Sequence, residues 1–98
     1  MAINTYPGFT PTAHARLAAS TTSSNVAVAG TPGLALVSNL GPSPLFVVLG
    51  TSSAVVATVA TGVTILPNQQ LFLGVGSNTY IAAITANNWA VVTIDFGN

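Results

Sequence analysis

Residues 17–94 of this 98-residue chain carry no formally charged side chain, because its one basic residue is Arg16 and its one acidic residue is Asp95. Charged residues make up 2% of the chain, whereas soluble domains usually carry roughly 25%. Nothing electrostatic therefore keeps two copies apart. We expect apolar packing to stabilise the fold, and we expect other protein to cover much of its surface.

Glycine and proline divide the uncharged stretch at short intervals, so no segment reaches the roughly 20 apolar residues of a membrane-spanning helix. Between these breaks lie short runs of β-branched and aromatic residues, the pattern of an all-β sandwich or barrel. The candidate strands are residues 16–20, 25–29, 34–39, 45–49, 55–61, 63–66, 70–75, 79–85 and 89–96. Since 55–66 can form one bent strand, we predict a small antiparallel β-sandwich, jelly-roll-like, of about seven or eight strands.

The last two candidate strands are separated by Ala86-Asn87-Asn88, and asparagine tolerates the left-handed backbone of a tight turn. We therefore predict that residues 79–85 and 89–96 form a hairpin. Alternation along the final strand places Ala90, Val92, Ile94 and Phe96 on one face, which we predict to be the core face.

The strand at 45–49 is apolar on both sides. Leu45, Val47 and Leu49 share one face, and Phe46 and Val48 share the other. A strand of this kind in an antiparallel sheet needs a second cover. A neighbouring subunit is the simplest cover that the sequence predicts.

The first 24 residues differ from the rest, because proline, glycine and a Ser/Thr run at 20–24 punctuate them. We divide the chain into an extended N-terminal arm, residues 1–24, and a β-sandwich domain, residues 25–98. A flexible tail and an arm docked on a neighbour are both compatible with this composition. Tyr6 and Phe9 favour docking, because flexible tails are usually poor in aromatic residues.

The chain lacks the residues that most enzyme chemistry requires. It has no Glu, Lys or Cys, so it contains no carboxylate pair, disulfide or thiolate metal site. His14 is the only imidazole, so a metal site would need ligands from several copies. We predict a protein that is not an enzyme and has no metal or cofactor. Asp95 would pair with Arg16 if the first and last strands are neighbours.

Binding to nucleic acid requires Lys and Arg to neutralise phosphates, and Arg16 alone does not supply enough charge. We therefore predict no direct contact with nucleic acid, and no membrane association. The aromatic residues can either form a platform for stacking sugars or fill protein interfaces, where Trp and Tyr are enriched. Packing is the simpler interpretation. The residues that we predict for a subunit or capsid interface are Tyr6, Phe9, Phe46, Val48, Tyr80, Trp89 and Val91.

Two stretches carry a family resemblance. The run SNLGPSPLFVVLG at residues 38–50 resembles a pattern in short virion proteins of tailed bacteriophages, where a strand ends in an Asn-x-Gly turn and continues into a Pro-x-Phe-Val strand. Residues 66–67, 71–73, 79–85 and 91–94 resemble the later strands of such proteins. The resemblance covers about residues 34–98.

This resemblance implies a small β-sandwich that coats or joins the capsid, as head decoration or cement proteins do. It implies a homo-oligomer, with a trimer favoured, that binds the major capsid protein or other virion proteins. Such a protein is made in the host cytoplasm and resides on the capsid surface. The alternatives are a receptor- or glycan-binding tip module of a fibre or spike, a head–tail joining or tail component, and a self-assembling fibre subunit.

Overall fold

A computed structural model describes residues 9–98, and this part of the chain contains eight β-strands and no helix. The all-β prediction is confirmed. The strands are β1 (Pro11–Ser20), β2 (Ser24–Ala27), β3 (Leu34–Pro42), β4 (Leu45–Gly50), β5 (Val63–Ile65), β6 (Gln69–Gly74), β7 (Tyr80–Thr85) and β8 (Trp89–Gly97).

The strands form two four-stranded sheets that pack as a sandwich. The first sheet has the order β1-β8-β3-β6 and the second has the order β2-β7-β4-β5. All neighbouring strands are antiparallel. Because β1 pairs with β8, β2 with β7, β3 with β6 and β4 with β5, the chain follows one long hairpin rolled into two layers. This connectivity is that of a jelly roll, so the predicted sandwich is confirmed.

The core lies between the sheets and takes alternate residues from each strand. In β8 the predicted core face is confirmed, since Ala90, Val92, Ile94 and Phe96 are all at most 1% exposed. The second sheet contributes the inward face of β4 and the buried residues of β5 and β7. The largest of these are Leu45, Val47, Ile65 and Ile81.

The predicted strand at 55–61 is wrong. Residues 51–62 form a loop between β4 and β5, with Val55 N donating to Ser52 O and Gly62 N donating to Thr58 O. A side-chain contact of 2.7 Å between the hydroxyls of Thr58 and Thr61 closes the second of these turns. Val55 packs close to Gly50 and Ala57 is buried, whereas the other β-branched residues of this segment are exposed, so their strand propensity does not decide the local structure.

The predicted hairpin at the C-terminal end is also wrong. β7 belongs to the second sheet and β8 to the first, so residues 86–88 carry the chain from one layer to the other. Asn88 does adopt a positive φ of 55°. Each of these two strands has one apolar face. That face is buried whether the strands are neighbours in one sheet or lie in opposite sheets, so the alternation of side chains does not distinguish the two arrangements.

The division of the chain at residue 24 needs correction. Pro11–Ser20 forms β1 and pairs with β8 from Ala13 to Ser20 without a register shift. The described part of the predicted arm is thus largely an edge strand of the sandwich, which begins at Pro11. Residues 1–8 of the predicted arm lie outside the described residues.

Candidate interaction surfaces

The outward face of the first sheet, which we call face A, carries the charged groups of the chain. Across its centre runs a polar row in which Arg16 lies opposite Thr93, Thr93 opposite Ser38, and Ser38 opposite Gln70. Gln70 Nε2 donates to Ser38 Oγ at 3.0 Å. Arg16 is exposed at one end of this row.

The next row of face A contains a side-chain contact between His14 and Asp95. His14 Nδ1 lies 2.7 Å from Asp95 Oδ1, and the two residues are direct partners between β1 and β8. The first and last strands are neighbours as the sequence analysis required, but Asp95 pairs with His14 and not with Arg16. Both side chains are accessible to solvent, with relative exposures of 57% for His14 and 36% for Asp95.

One end of face A is apolar. Trp89 is 55% exposed at the start of β8, and Val91 lies half-buried beside it on the same face. A register shift between Asn39 and Pro42 places Leu40 near Val91, and Leu40 is 52% exposed. Ala18, opposite Val91 on β1, is also exposed. These residues offer an uncharged surface with the tryptophan at its margin.

The opposite end of face A is covered by the chain itself. The rings of Phe9 and Phe72 meet edge to face, with centroids 5.1 Å apart. A Cβ atom on Gly97 would lie 2.9 Å from the Phe9 ring and would collide with the carbonyl of Thr10. Phe9 therefore contacts its own sandwich. Tyr6, the other aromatic residue predicted for docking, lies outside the described residues.

The outward face of the second sheet, which we call face B, holds the other predicted interface residues. Phe46 lies opposite Ile84, Val48 opposite Ala82, and Tyr80 lies one pair further along. Phe46, Val48 and Tyr80 are half-buried, whereas Ala82 is fully buried although it points away from the core.

The loop at residues 51–62 packs against the same outward face of the second sheet. A Cβ atom on Gly50 would lie 2.6 Å from the Val55 side chain, and one on Gly62 would lie 2.7 Å from Phe46 Cβ. Asn25 Nδ2 donates to Ser53 O at 2.8 Å, which fixes the loop to β2. The predicted second cover of the two-sided strand β4 therefore comes at least in part from the same chain.

This loop presents valine to solvent in turn. Val56 and Val59 are 63% and 54% exposed, and Val63, at the start of β5, is 45% exposed. The loop thus covers part of the apolar outward face of β4 but exposes valine side chains of its own. The sequence analysis missed Leu40, Val56 and Val59, because an uncharged chain offers no polar pattern from which outward valine and leucine can be recognised.

A small pocket lies between the β2–β3 and β6–β7 connections. Its volume is about 150 Å³, and residues 30–32 and 75–79 line it without an ionisable side chain. Pockets for small molecules usually measure about 300–1,000 Å³. The size and lining of this pocket do not indicate a cofactor or an active site.

The described residues contain no group of three or more side chains of the types that bind metal ions. Within residues 9–98 we also find no helix with the length and apolar character needed to cross a membrane. The chain matches no protein-family model, no curated protein and no solved structure.

Proposed function

We propose that this protein is a non-enzymatic structural protein of a tailed-bacteriophage virion, which decorates the capsid and stabilises the assembled head. In this role it binds other copies of itself and the major capsid protein through apolar contacts. Binding the assembled shell in preference to its dissociated subunits stabilises the shell by mass action.

The observation that carries the proposal is the exterior of the sandwich. Six large apolar side chains are exposed among residues 9–98, whereas the whole chain has one Arg, one acidic residue and one His. The exposed apolar residues lie on both layers, at Trp89 and Leu40 on face A and at Val56 and Val59 on the loop over face B. A protein with neighbours on two sides needs two such surfaces.

The fold agrees with this role, because eight-stranded jelly rolls occur in viral capsid proteins. Fold alone does not establish function. The jelly-roll fold supports the same class of protein as the sequence resemblance in residues 34–98.

The test is binding to purified heads of the phage that encodes the chain. Co-sedimentation with intact heads, compared with unassembled major capsid protein, measures preference for the lattice. We expect saturable binding to heads and higher thermal stability of the decorated heads. Failure to bind heads, with no copy of the chain in purified virions, would overturn the proposal.

Trp89 favours one second candidate, a glycan-binding tip module. Trp89 is 55% exposed at the start of β8, and its side chain is large, apolar and carries an N–H donor, so it could stack on a sugar ring. Lectin domains also adopt jelly rolls. Binding on a glycan array that is lost in Trp89→Ala and kept in Val56→Ala would favour this candidate over capsid decoration.

A further inference from the structure

The first strand of the sandwich has a free edge. β1 pairs with β8 on one side and has no strand on its other side within the described residues. Natural proteins usually protect such edges with short strands, charged side chains (lysine above all), prolines or bulges. β1 is ten residues long, and its one register shift lies between Pro11 and Ala13. From Ala13 to Ser20 it contains no proline, lysine or register shift, its one formally charged side chain is Arg16, and no strand among residues 9–98 occupies this length of edge.

The charges beside this edge are incompletely matched within one copy. Arg16 lies opposite the neutral Thr93 and forms no ion pair among the described residues, while Asp95 contacts His14. A carboxylate has two oxygens and accepts more than one hydrogen bond. The guanidinium of Arg16 and the side-chain carboxylate of Asp95 thus lie in adjacent rows of face A and are not directly opposite each other.

We propose that two copies pair antiparallel through β1, about a two-fold axis at Ala15, and join their first sheets into one continuous sheet. In this register His14 of each copy lies opposite Arg16 of the other. Because neighbouring strands are about 4.8 Å apart, the partner's Arg16 begins about 9.5 Å from the Asp95 backbone, two strand spacings away. Extended arginine and aspartate side chains cover that distance across His14.

The alternative registers are less favourable. Both copies keep their core faces on the same side only when the register shifts by two residues at a time. One such shift places Arg16 opposite the partner's Arg16, and like charges directly opposite destabilise a strand pair. A shift in the other direction places Arg16 of one copy opposite Thr12 of the other, one row beyond the row that contains Asp95. Charge therefore selects the register at Ala15.

This inference deepens the proposed function and rests on its premise that the protein assembles with copies of itself. The arrangement has two-fold symmetry and is self-complementary. It therefore predicts a dimer, or an assembly built from dimers, in place of the trimer that the sequence favoured.

Cysteine cross-linking tests the register, because the chain has no cysteine of its own. His14→Cys and Arg16→Cys are purified separately, mixed to allow exchange, and oxidised. Directly opposed residues lie within the Cα separation of about 7 Å that a disulfide tolerates. We expect a disulfide-linked heterodimer in the mixture and little cross-linking of His14→Cys alone. No cross-link in the mixture overturns the proposal.

Charge reversal tests the electrostatic part by sedimentation equilibrium. We expect Arg16→Glu and Asp95→Arg each to weaken dimerisation about tenfold, and the double variant to restore it to within a few-fold of the original. Thermal unfolding of dilute samples checks that each variant folds. A discrete oligomer unaffected by either reversal contradicts pairing through β1 but leaves head binding intact, so the two proposals fail separately.

Discussion

The side-chain amide of Asn39, on β3 of the first sheet, donates to the carbonyl oxygen of Ile65, on β5 of the second, at 2.9 Å. The same amide nitrogen donates to Ser43 O at 2.9 Å, and Asn39 Oδ1 accepts from Gly41 N at 2.8 Å. Asn39 is fully buried. One side chain thus fixes the Asn-Leu-Gly-Pro corner between β3 and β4 and ties the two layers together at that end.

Replacing Asn39 should therefore be among the most damaging polar substitutions in the sandwich. Asn39→Ala leaves one buried N–H and two carbonyl groups without these partners, and each unsatisfied group costs about 1–3 kcal/mol. We expect a loss of about 3 kcal/mol in the free energy of unfolding, measured by urea denaturation. Asn87→Ala, at an exposed position, is the control and should change stability by less than about 0.5 kcal/mol. Equal effects of the two variants would contradict the bridging role.

The close approach of Gly62 to β4 leads to a second prediction. A Cβ atom at residue 62 would lie 2.7 Å from Phe46 Cβ and 2.8 Å from the backbone nitrogen of Val47. Because backbone atoms cannot move aside easily, Gly62→Ala should lift the 51–62 loop and cost about 1–3 kcal/mol. Gly74→Ala is the matched control, since nothing lies within 4 Å of its Cβ position. It should leave stability unchanged or raise it by up to about 1 kcal/mol.

The contact between Phe9 and Phe72 gives a third prediction. An edge-to-face aromatic pair contributes about 0.5–1.5 kcal/mol beyond the burial of its area. Phe9→Ala should therefore lower the free energy of unfolding by about 1–2 kcal/mol. Deleting residues 1–8, which keeps Phe9, is the comparison. If the deletion lowers stability as much as Phe9→Ala does, the stabilising contact does not reside in Phe9.

The exposed charges should contribute little to the stability of one copy. His14 and Asp95 are both accessible, and exposed ion pairs contribute at most about 1 kcal/mol. We expect Arg16→Gln combined with Asp95→Asn to shift the free energy of unfolding by less than about 1 kcal/mol, measured at a concentration where the protein is monomeric. A larger loss at that concentration would mean that these groups support the fold of one copy.

The sequence predicts the fold class and the inward face of β8 because side-chain alternation and turn residues act locally. It does not predict which strands are neighbours, as the 79–85 and 89–96 segments illustrate. Both segments present an apolar face, and that face is satisfied equally by a partner in the same sheet or by a strand across the core.

The same limit explains the error at residues 55–61. Val and Thr favour a pleated strand, but Gly50 and Gly62 allow this segment to approach β4 and cover it. The apolar outward face of β4 was visible in the sequence, whereas the identity of its cover depends on contacts between distant residues. For the same reason the predicted interface residues divide between the two layers, with Trp89 and Val91 on face A and Phe46, Val48 and Tyr80 on face B.

Trp89 and Phe46 were both predicted to be interface residues, but they lie on different layers of the sandwich. Trp89 is 55% exposed, whereas Phe46 is half-buried beneath the 51–62 loop, where Gly62 approaches its Cβ. Trp89→Ala should leave the unfolding of a dilute sample nearly unchanged and weaken self-association or head binding by about 2 kcal/mol. Phe46→Ala should instead destabilise the single copy by about 2–4 kcal/mol. Urea denaturation and light scattering over a range of concentrations measure the two effects separately. If Trp89→Ala changes neither self-association nor head binding, the apolar end of face A is not an interface.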